Sequence, residues 1–273
     1  MVTGLASRFV EIRDSLGALC VGIDPHEQIL AEWGLPVSAA GVRDFGLLAI
    51  DACAGEVGIV KPQVAFFERF GSAGFAALED VILAAHDAGI AVIADAKRGD
   101  VGSTVDAYSR AWLGEGSLQS EAVTANPYQG LGSLSPMIDR AEESGAVVFV
   151  LAATSNPEGV AQQQAQLGET SVANSIAQQA VARNAGSVPG PVGLVIGATV
   201  SLTDFDIDPA SLAGTLILAP GFGYQGAVLR DIAAIYGDLA PWVIPSVSRS
   251  VLAGDPITMR DRVRSARDEA ALS

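Results

Sequence analysis

The sixteen basic residues of this chain are fourteen arginines and two lysines, and both lysines, Lys61 and Lys97, stand at or just past the end of a short apolar run. A guanidinium is planar, always charged and unable to release a proton near neutral pH. An ammonium is a compact donor whose pKa its surroundings can tune. A chain that otherwise uses arginine yet keeps lysine at these two places points to proton transfer, with chance survival as the plainer alternative. The string DAKRGD (95–100) adds the next feature. In an extended strand side chains alternate, so Asp95 and Lys97 share one face and Ala96 points the other way. Arg98-Gly99 then turns the chain, and Asp100 offers a second carboxylate to the same site or across a subunit interface. An ammonium between carboxylates keeps its charged form, which suits a proton donor and disfavours the neutral amine of Schiff-base chemistry. The competing reading is a surface salt bridge at a strand end.

Two further groups could hold a ligand. The loop PGFGYQG (220–226) carries three glycines, and SVSRS (246–250) offers Ser248 and Arg249. Glycines let backbone N–H groups approach phosphate oxygens, Gln225 adds a neutral donor and Arg249 a forked charge. A purely structural turn is the alternative. Asp24, after the first apolar run, is placed either to accept from sugar hydroxyls or to cap a helix. His26 follows it and could line the rim, but no second His or Cys completes a metal or triad arrangement. His86 lies inside a helical pattern and reads as structural.

These residues need a scaffold that brings distant segments together. Eight apolar runs recur, at 18–24, 57–63, 90–96, 122–127, 146–152, 192–198, 215–220 and 242–247, separated by turn residues and longer helical stretches. Repeated βα units of this kind predict an α/β fold with a parallel sheet, and eight of them favour a (β/α)8 TIM barrel as a single domain over residues 1–273. Barrel active sites lie where strands end. The polar residues at those ends are Asp24, Lys61, the Asp95–Asp100 string, Asn126, then Thr154, Ser155 and Asn156, and the two loops above. Residues 70–89 and 257–273 show apolar spacings of three and four, as helices packed on a barrel do. The connection 156–191 is long and polar, and reads as a solvated helix or as a lid over the site.

Composition excludes several classes. Net charge −15 argues against nucleic-acid or anionic-membrane binding, so an anionic ligand must be held by local groups. Cys20 and Cys53 lack metal or disulfide spacing and read as buried small hydrophobes. No apolar run is long enough to cross a bilayer, and acidic residues near the N-terminus interrupt any signal-like segment, so a cytoplasmic protein is expected.

The strand ends, in order, resemble the orotidine 5′-phosphate decarboxylase family, and its longer bacterial subgroup in the connection 156–191. DAKRGDVGST is similar to that family's Asp-x-Lys-x-x-Asp signature with a following threonine. Lys61 in VKPQVAFFE matches its strand-2 lysine, GIDP its strand-1 aspartate, ATSNPEG its pyrimidine-contacting segment, and GFGYQG with SVSRS its phosphate grip. The resemblance implies decarboxylation of orotidine 5′-monophosphate (OMP) to uridine 5′-monophosphate (UMP) and CO2 in pyrimidine biosynthesis, without metal or cofactor. It implies that Lys97 protonates C6, Asp95 faces the departing carboxylate, and Lys61 holds the charged network and a ribose hydroxyl. Asp100 and Thr104 would enter the neighbouring subunit's site in a homodimer. Asp24 would bind ribose, Ser155 the pyrimidine, and Gln225 and Arg249 the phosphate. Rival readings are a magnesium-dependent sugar-phosphate enzyme on the same barrel, opposed by Lys61 where a metal ligand would stand, a Schiff-base aldolase, and a non-catalytic binder of phosphorylated ligands.

Overall fold

All eight apolar runs form strands. These are β1 (Cys20–Ile23), β2 (Ile59–Pro62), β3 (Ala91–Arg98), β4 (Ala122–Ala125), β5 (Val147–Ala153), β8 (Val192–Ile196), β9 (Ile217–Pro220) and β10 (Val243–Val247). The remaining two, β6 (Gln166–Leu167) and β7 (Thr170–Ser171), make a small antiparallel hairpin. In this computed structural model, which describes residues 4–272, the eight pair in parallel in the closed order β1-β10-β9-β8-β5-β4-β3-β2. Residues 1–3 and Ser273, part of the expected domain span and of the terminal readings above, lie outside the described residues. The closed barrel with intervening helices is the expected (β/α)8 architecture.

Two layers of apolar packing follow from the strand period of two. Ile59, Ala91, Ile93, Ala122, Val147, Phe149 and Ile244 point inward and form one cluster. Their neighbours Val60, Val92, Ala94, Val123 and Val148 point outward and pack against the helices. The ring of Phe149 fills the barrel interior because Gly193 on β8 leaves room: a Cβ there would stand 2.5 Å from the ring. Burying such a side chain contributes about 2–3 kcal/mol. The helix Leu5–Leu16 places Leu5 and Phe9, one turn apart, and then Ile12 against the inner cluster and seals the N-terminal end of the barrel. The expected helices over 70–89 and 257–273 are Gly71–Asp87 and Met259–Ala270. Among the described residues no helix is long and apolar enough to cross a membrane.

Two local features shape the open end. The first is an irregularity in β3. Ile93 pairs with Ala122 and Ala94 with Val123, but the next pair is Arg98 with Ala125, so β3 advances four residues while β4 advances two. The extra length is a bulge containing Asp95 and Lys97, and Lys97 adopts φ 48°, the left-handed region that non-glycine residues seldom occupy. The second is the connection 156–191. It folds into the helix Pro157–Gln163, the β6-β7 hairpin and the helix Val172–Arg183, which Ser171 caps by accepting from the Asn174 N–H. Asn184 then returns the chain to the barrel by bonding both the N–H and the carbonyl of Val192.

Candidate active site

Continuing the inward period of β2 and β3 past Ile59 and Ile93 brings Lys61 and Asp95 to the inner face at the open end of the barrel, each 6% exposed. There the Asp95 carboxylate receives four donors. Lys61 Nζ (2.8 Å) and Gln63 Nε2 (2.9 Å) donate to Oδ2, while Lys97 Nζ (2.6 Å) and Thr124 Oγ1 (2.9 Å) donate to Oδ1. Charge-assisted hydrogen bonds of this length are the strong class. Burial by itself would raise the Asp95 pKa, but the Lys61 and then the Lys97 charges outweigh it and hold the carboxyl far below its usual range. Burial would lower Lys61, and here too the neighbouring charges, Asp95 first and then Asp24, reverse the sign and raise it. Asp95 is therefore an ionised acceptor and Lys61 a cation at neutral pH. The surface salt bridge is not what forms: only Lys97 reaches out, with its side chain 45% exposed against 8% for the other two.

Lys97 projects into a cavity of about 970 Å³ at the open end of the barrel. Leu151, Val195 and Leu218 give it an apolar floor, and Asp24, Asn126, Ser155 and Gln225 stand around its wall. Asp24 caps no helix through its side chain, and its buried Oδ1 has no hydrogen-bond partner, so it presents an unused acceptor at the rim. Ser155 Oγ donates to Gln225 Oε1 at 3.2 Å and joins the end of β5 to the glycine-rich loop. The helix Val172–Arg183 lines the far side through Val172, Ser175, Ile176 and Gln179, and Gln163 bonds both the N–H and the hydroxyl of Thr154. The long connection is thus part of the cavity wall rather than a free solvated helix.

In the glycine-rich loop Gly221, Gly223 and Gly226 all take positive φ. Gly223 is doubly constrained, since at φ 74° a Cβ would also meet the Ser250 side chain at 2.7 Å. The Arg249 guanidinium lies over the Tyr224 ring, 3.4 Å from its centroid, beside the loop and outside the cavity lining.

The structure brings together Lys61, Asp95 and Lys97, and around the same cavity Asp24, Ser155 and Gln225. It does not bring Asp100 or Thr104 to that cavity. Asp100 Oδ1 accepts from the Val101 N–H, and Thr104 is exposed on the helix Gly102–Leu113. His26 packs against Phe66, and both cysteines are buried, their thiols pushed up to about 12 by burial. Gln63 and Thr124 are absent from the sequence reading, although both touch Asp95. The available signal was period two: Thr124 stands two residues after inward Ala122, and Gln63 two after Lys61. Among the described residues no group of three His, Cys, Asp or Glu side chains is arranged to hold a metal ion.

Residues 17–257 match the model of the orotidine 5′-phosphate decarboxylase / HUMPS family. The chain is 47% identical over 264 residues to an orotidine 5′-phosphate decarboxylase of Corynebacterium efficiens, covering 94% of this chain and 92% of the relative. It is 49% identical over 246 residues to that of Corynebacterium glutamicum, covering 88% and 87%. A solved Streptomyces avermitilis structure carrying the same family name aligns with TM-score 0.92 at 42% identity, over 99% of this chain and 95% of the other.

Proposed function

This chain belongs to the orotidine 5′-phosphate decarboxylase / HUMPS family, and from that premise we propose that Lys97 is the proton donor of a decarboxylation that needs neither metal nor cofactor. The activity is that of an orotidine 5′-phosphate decarboxylase, a carboxy-lyase of pyrimidine biosynthesis that converts OMP to UMP and CO2. The observation that carries the reading of Lys97 is its ammonium, 2.6 Å from a buried, ionised Asp95 and exposed to the cavity.

As the bond from C6 to the carboxylate breaks, its electron pair stays on C6 and CO2 departs. Lys97 Nζ gives its proton to C6 and regains one from solvent afterwards. With no cofactor to delocalise the C6 carbanion, a preplaced cation in a site of low dielectric is the available stabilisation. Asp95 holds the Lys97 ammonium by a direct hydrogen bond and faces the departing carboxylate, while Lys61 keeps Asp95 ionised and reaches a ribose hydroxyl. Asp24, with its unpartnered oxygen, accepts from the ribose, and Ser155 contacts the pyrimidine. Gln225 and the glycine-rich loop take the phosphate together with Arg249, whose guanidinium leaves the Tyr224 ring to do so. Phosphate binding far from C6 supplies energy that closes the site.

Asp100 and Thr104 of the partner subunit complete the charged network in a homodimer with shared sites. Both stand away from this chain's own cavity, Asp100 half-buried and Thr104 exposed, which supports that part. The whole chain acts as one catalytic domain in the cytoplasm, with no nucleic-acid or membrane partner. The direct test is the OMP-to-UMP absorbance change with chelator present. Loss of turnover on chelation overturns the metal-free reading. Mixed Asp95→Ala and Asp100→Ala proteins should regain activity as subunits exchange, and no recovery overturns the shared site.

A further inference from the structure

We propose that Thr124 is a positioning residue of this reaction: its hydroxyl takes the place of a missing ladder bond at the β3 bulge and so holds the Asp95 carboxylate and the Lys97 backbone at a fixed separation. The proposal rests on the reading of Lys97 as proton donor. A hydroxyl has one hydrogen to donate and lone pairs to accept with. Thr124, 1% exposed, uses both: Oγ1 donates to Asp95 Oδ1 at 2.9 Å and accepts from the Lys97 backbone N–H at 2.9 Å. Regular pairing resumes only at Arg98 with Ala125, so across the bulge the side chain of β4 does what its backbone does elsewhere in the ladder.

Lys97 needs this support because its φ of 48° is a conformation that persists only where the surroundings impose it. The two oxygens of Asp95 are also held differently. Oδ2 is bonded by Lys61 and Gln63, neither of which loses a proton in the proposed step, whereas Oδ1 is bonded by Lys97 and Thr124. When Lys97 gives up its proton its charge-assisted hold on Oδ1 weakens, and Thr124 becomes the donor that keeps the carboxylate plane where the re-protonated ammonium must return. A neutral hydroxyl suits this task since its charge does not change during turnover.

The experiment compares Thr124→Val, Thr124→Ser and Lys97→Ala in the full chain by three readouts. These are kcat and KM for OMP, the dissociation constant of UMP, and exchange of the UMP C6 hydrogen for deuterium in heavy water. Thr124→Val should lower kcat and C6 exchange together by about 10- to 100-fold, the scale of a small misplacement of a reacting group, with UMP affinity within about threefold. Thr124→Ser should return kcat to within about threefold of the parent, because it restores both hydrogen bonds. If Thr124→Val does not fold, Thr124→Ala takes its place in the comparison. The proposal is overturned by an unchanged kcat in the hydroxyl-less variant, by a serine variant as slow as the valine one, or by parallel loss of UMP binding. Full activity in Lys97→Ala would instead overturn the proton-donor reading, whereas an inactive Lys97→Ala beside a fully active Thr124→Val removes the role of Thr124 alone.

Discussion

Strand β3 has a buried carboxylate at each end, and the two are built for different tasks. At the open end Asp95 accepts from four side chains, one of which, Lys97, is half exposed to a large cavity. At the sealed end Glu121, 1% exposed, accepts from the Val92 N–H at 2.7 Å through Oε2, which also hydrogen-bonds His86 Nε2 at 3.4 Å, while its Oε1 has no hydrogen-bond partner. The backbone carbonyl of Glu121 also takes the N–H groups of Leu5 and Val147, tying the sealing helix and β5 to the barrel floor. Both carboxylates are buried beside a basic side chain. What separates them is that the partner of Asp95 can reach a ligand and carries an exchangeable proton, whereas the partners of Glu121 close gaps between elements. Burial of a carboxylate beside a basic side chain is thus not in itself the mark of a site; access to the pair is.

The largest effect should come from removing the exposed partner. Lys97→Ala should lower kcat/KM by about 10⁴-fold, the upper range for a general acid, while the thermal midpoint stays close to the parent; retained turnover would erase the contrast between the two ends. If Arg249 binds the phosphate as proposed, Arg249→Ala should raise KM by about 10- to 100-fold with kcat little changed, as for a lost charge-assisted pair. A proportionate fall in kcat would move Arg249 from binding into the chemistry. Glu121→Gln should leave kcat within about twofold but lower the unfolding free energy by about 1–3 kcal/mol, the cost of weakening a buried acceptor. Reduced kcat at unchanged stability would count against a purely architectural Glu121.

The smallest effect expected is one of pH. Asp95 is held below its ordinary 3.8, so its stabilisation is complete above that value and is lost as pH falls through the lower folded value. Lys61 is held above its ordinary 10.5, so its share is complete below that value and is lost as pH rises through the higher folded value. Denaturant midpoints of the parent and of Asp95→Asn should therefore differ by a constant amount from about pH 4 to pH 10. A difference that varies across neutral pH would mean that another group titrates within the network.

Much of this was legible in the chain because its signals are local. Apolar runs mark strands wherever a strand is buried on both faces, and all eight became barrel strands. Lys61, Asp95 and Lys97 stood out by residue type and spacing. Thr124 and Gln63 did not, since a threonine in a β-rich run and a glutamine after a proline are ordinary residues until the register of β3 against β4 and β2 is known. The connection 156–191 was ambiguous for a related reason. Its helix Val172–Arg183 buries small alanines on one side and presents Ser175, Ile176 and Gln179 to the cavity on the other, and composition does not say which neighbour covers which face.

The sequence by itself determined the strand count, the scarcity of lysine and the chemistry that an ammonium beside a carboxylate allows, because each depends on residue type and short-range period. Only the tertiary structure decided that Asp95 is saturated by four donors, that Lys97 stands in a bulge with a left-handed backbone, and that Glu121 closes the opposite end of the same strand. Those are properties of register and barrel closure, set where segments distant in the chain meet, and no local pattern encodes which side chain from the next strand fills a gap in the ladder.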